Sequence, residues 1–107
     1  MSMDSDKMQR ILVDVWNKHL PETEERLSVL EHAAQSLRVE ELKETDRQAA
    51  ANAAHKLAGS LGTFGKHEGT EAARAIEQQL VGEEPLQPQF SEFLRYLEIL
   101  KSVIRPG

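Results

Sequence analysis

The stretch "AAHKLAGSLGTFGK", residues 53–66, sets Gly59, Gly62 and Gly65 shortly after His55 in a segment otherwise built from good helix formers. Each glycine inside a helix costs about 1 kcal/mol relative to alanine. A sequence that gives up this stability gains access or close approach in return. A helical wheel at about 100° per residue, centred on Leu57, gathers Ala50, Ala53, Ala54, Leu61 and Phe64 within about 60° of it. His55 falls about 160° away, on the side shared by Gln48, Asn52, Gly59 and Gly62. The segment therefore reads as an amphipathic helix that buries alanine and leucine and presents a histidine to solvent. Side chains at positions 59 and 62 would flank the imidazole and obstruct its outer nitrogen, whereas glycine leaves a shallow gap.

The rest of the chain supplies partners for that buried face. Thr45 and Gln48, in "TDRQ", have the capping-box spacing and predict where this helix starts. Gly65 predicts a left-handed C-cap, so the helix ends at about Phe64 or Gly65. Upstream, Leu12, Trp16, Leu20, Thr23, Leu27, Leu30, Ala34 and Leu37 recur at spacings of three and four, the stripe of a long first helix. Pro21 lies inside it. A proline removes one hydrogen bond and crowds the carbonyl of Asn17, which predicts a kinked helix or two helices meeting there, and the unbroken phase favours the kink. Residues 38–45, "RVEELKET", lose the pattern and form the first connection.

Downstream, a third helix from about Lys66 to Val81 turns Ala72, Ala73, Ile76 and Leu80 inward, and "GEEPLQP" reads as a loop. A last helix from about Gln89 to Ile104 aligns Phe90, Phe93, Leu94, Leu97, Leu100 and Ile104. β-Branched residues never alternate, so no strands are predicted. Four apolar stripes with short connections predict an all-α fold, an antiparallel four-helix bundle forming one domain over residues 1–107.

Composition narrows the function. Apolar residues make up 39% and charged residues 29% of the 107, which fits a globular chain, and no run approaches the roughly 18 apolar residues of a membrane span. The start, "MSMDSDKMQR", lacks the apolar core of a signal peptide, and cysteine is absent, so a reducing, cytoplasmic setting is the expectation. Thirteen Lys and Arg against eighteen Asp and Glu give a net charge of −5, which argues against nucleic acid.

The four histidines, His19, His32, His55 and His67, show neither Glu three residues before a His nor two His four apart, the usual spacings of bundle metal sites. His19, His32 and His67 read as surface or boundary residues. Ser60 and Thr63 have no evident His and carboxylate partners for nucleophilic hydrolysis. The acidic residues are scattered as on ordinary helix surfaces, and "GSLGTFGK" lacks the preceding strand and the GK[ST] ending of a phosphate loop. An exposed histidine is most often only a polar surface residue. His55 is set apart by glycines that share its phase, where packing glycines would lie on the buried face.

The same segment resembles the signature of histidine-containing phosphotransfer domains, in which a helix carries H-x-L-K-G-S followed by a glycine closing the turn. His55, Leu57, Gly59, Ser60 and Gly65 match it in place. The resemblance covers residues 6–104 and implies a four-helix bundle with a proline inside its long first helix. It further implies a phosphorelay intermediate. His55 would accept a phosphoryl group on its outer ring nitrogen from the aspartyl phosphate of a receiver domain and pass it to another receiver. The domain would be a phosphocarrier without kinase activity of its own.

No bound cofactor is implied, because the receiver brings the magnesium ion. A hybrid sensor histidine kinase is a further implied partner, and a monomer is expected, with no nucleic acid or membrane involved. Lys56, directly after His55, would bring its flexible ammonium near the phosphoryl oxygens. Gln48, Asn52, Lys56, Gly59, Ser60, Gly62 and Thr63 would line the docking face, with apolar help from Ile11 or Val15. Two departures stand out. Ala58 occupies the position where the family usually has lysine, and Gly69 one where it more often has leucine, which predicts looser packing between the second and third helices. The rival reading is a helical-bundle adaptor that docks a receiver or other partner without carrying phosphate. Retention of His55 speaks against it.

Overall fold

The computed structural model describes residues 3–106. Met1, Ser2 and Gly107, which the one-domain reading of 1–107 also covers, lie outside the described residues. Four helices follow one another, α1 Met3–Arg38, α2 Glu44–Thr63, α3 His67–Val81 and α4 Phe90–Ile104, with a 3₁₀ turn, Gln87–Gln89, leading into the last. Each packs on its neighbours in chain order and α1 closes against α4, the antiparallel four-helix bundle that four apolar stripes and short connections favour. No strand occurs among the described residues, and none of their helices is long and apolar enough to cross a membrane. Leu27, Leu30, Leu57, Leu61, Ile76, Leu80, Phe93 and Leu100 are fully buried. Each such side chain contributes about 1.5–3 kcal/mol of transfer free energy.

α1 runs through Pro21 as one helix, so the two-helix alternative falls away. Thr23, the polar member of its stripe, is buried and donates its hydroxyl to the His19 carbonyl at 3.0 Å, so it enters the core satisfied. The helix has 36 residues, about 54 Å at 1.5 Å per residue, against 20 residues and about 30 Å for α2. It therefore overruns its neighbours, and the molecule measures 53 × 23 × 21 Å. The upper part of the stripe runs past most of the core, and only Trp16 and Leu20 of it still pack against that core. Leu12 is 44% exposed and Trp16 and Leu20 are half-buried, whereas Leu27, Leu30, Ala34 and Leu37 are buried.

The start of α2 corrects the capping-box reading. Lys43 is the N-cap, its carbonyl accepting from the Arg47 N–H at 2.9 Å, and Thr45 already lies inside the first turn. Gln48 donates its side-chain amide to the Glu44 carboxylate at 3.3 Å instead of reaching back to a cap. Glu44 and Asp46 place negative charge in the first turn, where the helix dipole favours it. At the other end the expectation for Gly65 holds. It adopts φ +71°, and its N–H donates to the Gly62 carbonyl at 3.1 Å while Lys66 N–H donates to Leu61 at 2.9 Å, the paired bonds of a Schellman turn.

Gly69 also behaves differently from its sequence reading. It is buried at the start of α3, and a Cβ there would lie 2.9 Å from Leu61 Cδ1 and 3.1 Å from Val103 Cγ1. The missing side chain lets α3 approach α2 and α4 closely, so the packing is tight and not loose. Thr70, its neighbour, donates its hydroxyl to the Ala58 carbonyl of α2 at 3.3 Å.

Candidate functional site

His55 stands on the outer face of α2, its side chain 72% exposed, with Ala54 and Leu57 buried on either side in sequence. The wheel therefore placed it correctly. Its ring is not free to turn, because Nδ1 lies 2.9 Å from Oε2 of Glu77 on α3. A carboxylate can only accept, so Nδ1 carries the hydrogen of this bond. The neutral imidazole is then held in the tautomer whose Nε2 lone pair is free. A half-buried Glu77, 28% exposed, is firmer than a fully solvated one, so the bond orients the ring as well as polarising it.

The α2 ridge that carries His55 separates two surface hollows. On the α3 side, Ala58 and Gly59 from α2 face Arg74, Glu77 and Gln78 around a hollow of about 300 Å³ that reaches the imidazole. A Cβ on Gly59 would meet nothing within 4 Å, so this glycine opens space one turn beyond the histidine. On the α1 side, Asn52 and Lys56 line a hollow of about 280 Å³ with Ala49 and Ala53, opposite Glu22, Glu25, Arg26 and Val29. The two sets of expected site residues are thus split between two flanks.

Gln48 and Asn52 are exposed on the same outer face as His55, two turns and one turn before it. Thr63 is exposed and donates its hydroxyl to the Gly59 carbonyl at 3.0 Å, while Ser60 is half-buried. Gly62 corrects the sequence reading in part. It is exposed, but its absent side chain would rest against Thr70 Oγ1 at 3.5 Å, so it faces α3 and lies too far along the helix to open space at the ring. Ile11 and Val15 are exposed on α1. His19, His32 and His67 are all exposed, as expected of surface residues. His19 lies 6.0 Å from the Phe64 ring, which also meets Trp16 edge-on at 5.2 Å, and Lys66 covers the Trp16 ring at 4.6 Å. This cluster braces α1 against the end of α2.

Three residues of the site escaped the sequence reading, Glu77, Arg74 and Gln78. Glu77 sits beside Ile76, four residues after Ala73 and three before Leu80, at the edge of a stripe that faces α2. A polar residue at the margin of an apolar stripe points along a helix interface, and that was its available signal. Which residue of α2 it meets depends on the register between the two helices.

A family model for the Hpt domain matches residues 14–104, and the chain belongs to that family, the histidine-containing phosphotransfer domains. Members perform histidine phosphotransfer in phosphorelays and work with receiver domains and histidine kinases of two-component systems. Among curated proteins, Protein RcaC of Microchaete diplosiphon is 31% identical over 96 residues, which cover 87% of this chain and 15% of RcaC. The chain thus spans a small part of that relative's length. No solved structure matches the chain.

Proposed function

We propose that His55 is the phosphoacceptor of a phosphorelay intermediate that takes a phosphoryl group from the aspartyl phosphate of one receiver domain and passes it to the aspartate of another. The observation that carries this reading is the 2.9 Å bond from Nδ1 to Glu77 on an otherwise exposed ring. The Nε2 lone pair attacks phosphorus, the bond between phosphorus and the aspartate oxygen breaks, and the carboxylate leaves. The ring becomes an imidazolium as the new bond forms, and its Nδ1–H then donates to the Glu77 carboxylate across a charge-assisted bond. Return of the group to an aspartate reverses each step. Phosphoryl transfer demands positioning and charge neutralisation more than proton chemistry, so an exposed, oriented imidazole is sufficient here. The receiver supplies the magnesium ion.

Docking uses the outer face of α2, with Gln48, Asn52, Lys56, Gly59, Ser60, Gly62 and Thr63 along it and Ile11 or Val15 adding apolar contact from α1. The interface is small, as a transient relay partner requires. In this reading the domain is a phosphocarrier without kinase activity of its own. The test is incubation with a phosphorylated receiver and magnesium. Label moves to the wild-type chain and not to a His55→Gln variant. Label that never arrives, or that reaches His55→Gln equally, refutes the assignment, and stable binding of a receiver without label uptake would identify an adaptor.

A further inference from the structure

We infer that Arg74 of α3, with Gln78, binds the phosphoryl oxygens on His55, in the place that the family's lysine would fill and that Lys56 does not. The inference rests on His55 being the phosphoacceptor. Position 58, one turn after the histidine, is an alanine 5% exposed and packed toward Thr70, so it brings no charge to the ring. Lys56 lies about 100° around the helix from His55 and lines the opposite hollow, in the field of Glu22 and Glu25 on α1. The hollow that does reach the imidazole contains one guanidinium and one amide, Arg74 and Gln78, four residues apart on α3 and hence on one face.

Arg74 is exposed and, among the described residues, enters no ion pair. The carboxylates within helical reach are Glu71 and Glu77, three residues before and after it, and Glu77 is engaged by His55. A guanidinium with no carboxylate bound is available for a phosphoryl group, whose oxygens its planar fork matches two at a time. Gly59 leaves the opposite wall open, so three oxygens on Nε2 have room to turn toward α3. The resulting arrangement separates charge in order. Glu77 faces the positive ring at Nδ1, and Arg74 faces the negative oxygens.

The test uses phosphoramidate, a small donor that phosphorylates imidazole without any receiver. The Nε2 lone pair attacks phosphorus, the phosphorus–nitrogen bond of the donor breaks, and ammonia leaves. Initial rates and the lifetime of the phosphohistidine are followed by phosphorus NMR for the wild type, Arg74→Ala, Arg74→Lys, Lys56→Ala and His55→Gln. Loss of one charge-assisted contact at an exposed site should slow phosphorylation about tenfold in Arg74→Ala. Arg74→Lys should recover most of the rate, and Arg74→Ala should be clearly slower than Lys56→Ala. A rescue by lysine is not what a purely structural role would give. Arg74→Ala at the wild-type rate, or Lys56→Ala as the slower variant, overturns the inference while leaving His55 as acceptor. A wild-type chain that takes no more phosphate than His55→Gln overturns both.

Discussion

Replacing Gly59 by alanine should make this protein more stable and a poorer phosphocarrier. The position lies inside α2, and a Cβ there would meet no heavy atom within 4 Å, so alanine neither clashes nor fills a cavity. The stability change is then the helix propensity difference alone, about 1 kcal/mol in favour of alanine. For a chain of this size that raises Tm by about 4 °C and, with an unchanged m-value, moves the urea midpoint by about 0.5 M. The same methyl narrows the hollow beside the imidazole, and Gly59→Leu closes it. Urea unfolding followed by circular dichroism gives the first quantity, and phosphoryl uptake from a phosphorylated receiver gives the second. Uptake should fall a few-fold with alanine and be nearly lost with leucine. Gly62→Ala is the comparison for stability alone, because its Cβ would rest in ordinary contact with Thr70 Oγ1 at 3.5 Å. An alanine at 59 that costs stability, or a Gly59→Leu protein that transfers at the wild-type rate, would refute the idea that this glycine exchanges stability for access.

Gly65→Ala should do the opposite, because its φ of +71° is a conformation in which a Cβ costs about 1–2 kcal/mol, seen as a lower urea midpoint. Glu77→Ala should slow phosphorylation of His55 about tenfold by freeing the ring and removing the charge opposite the imidazolium, with Glu77→Gln intermediate because its amide oxygen still accepts from Nδ1. Phosphohistidine formation in a stopped assay reads both, and equal rates for all three chains would remove Glu77 from the mechanism. Arg105 bonds Glu24 at 2.9 Å and Glu31 at 3.2 Å, tying the end of α4 to α1, and these carboxylates, Glu31 first, hold its guanidinium above the usual range. Arg105→Ala should lower stability by about 0.5–1 kcal/mol in low salt and less in 1 M salt, where partly exposed pairs are screened.

The parts of the fold that were legible are those a single helix dictates. The phase of Leu57, Leu61 and the alanines of α2 sets which face is buried, so His55 could be placed outward without knowing what covers the other side. Gly65 was legible because a left-handed residue closing a helix leaves few other choices. Pairwise facts were not legible. The stripe of α1 shows a helix but says nothing of how long its partners are, and so Leu12 reads as core and stands in water. Gly69 reads as a deletion of packing volume, yet the three-helix junction around it is close because that volume is absent. Glu77 and Arg74 join the site only through the register of α3 against α2. Thr45 and Gln48 had the spacing of a cap, but Glu44 offers the helix dipole a charge one residue earlier.

The single tether of His55 has a further consequence. Among the described residues its ring is hydrogen-bonded to one carboxylate at the rim, while the opposite side of the same helix is locked into the interior. A cargo attached at Nε2 would therefore displace no packed atom and pull on no hinge, and the loaded and empty forms would share one shape. Such a carrier broadcasts nothing at a distance, so its state is legible only to a visitor that puts its own surface against the imidazole.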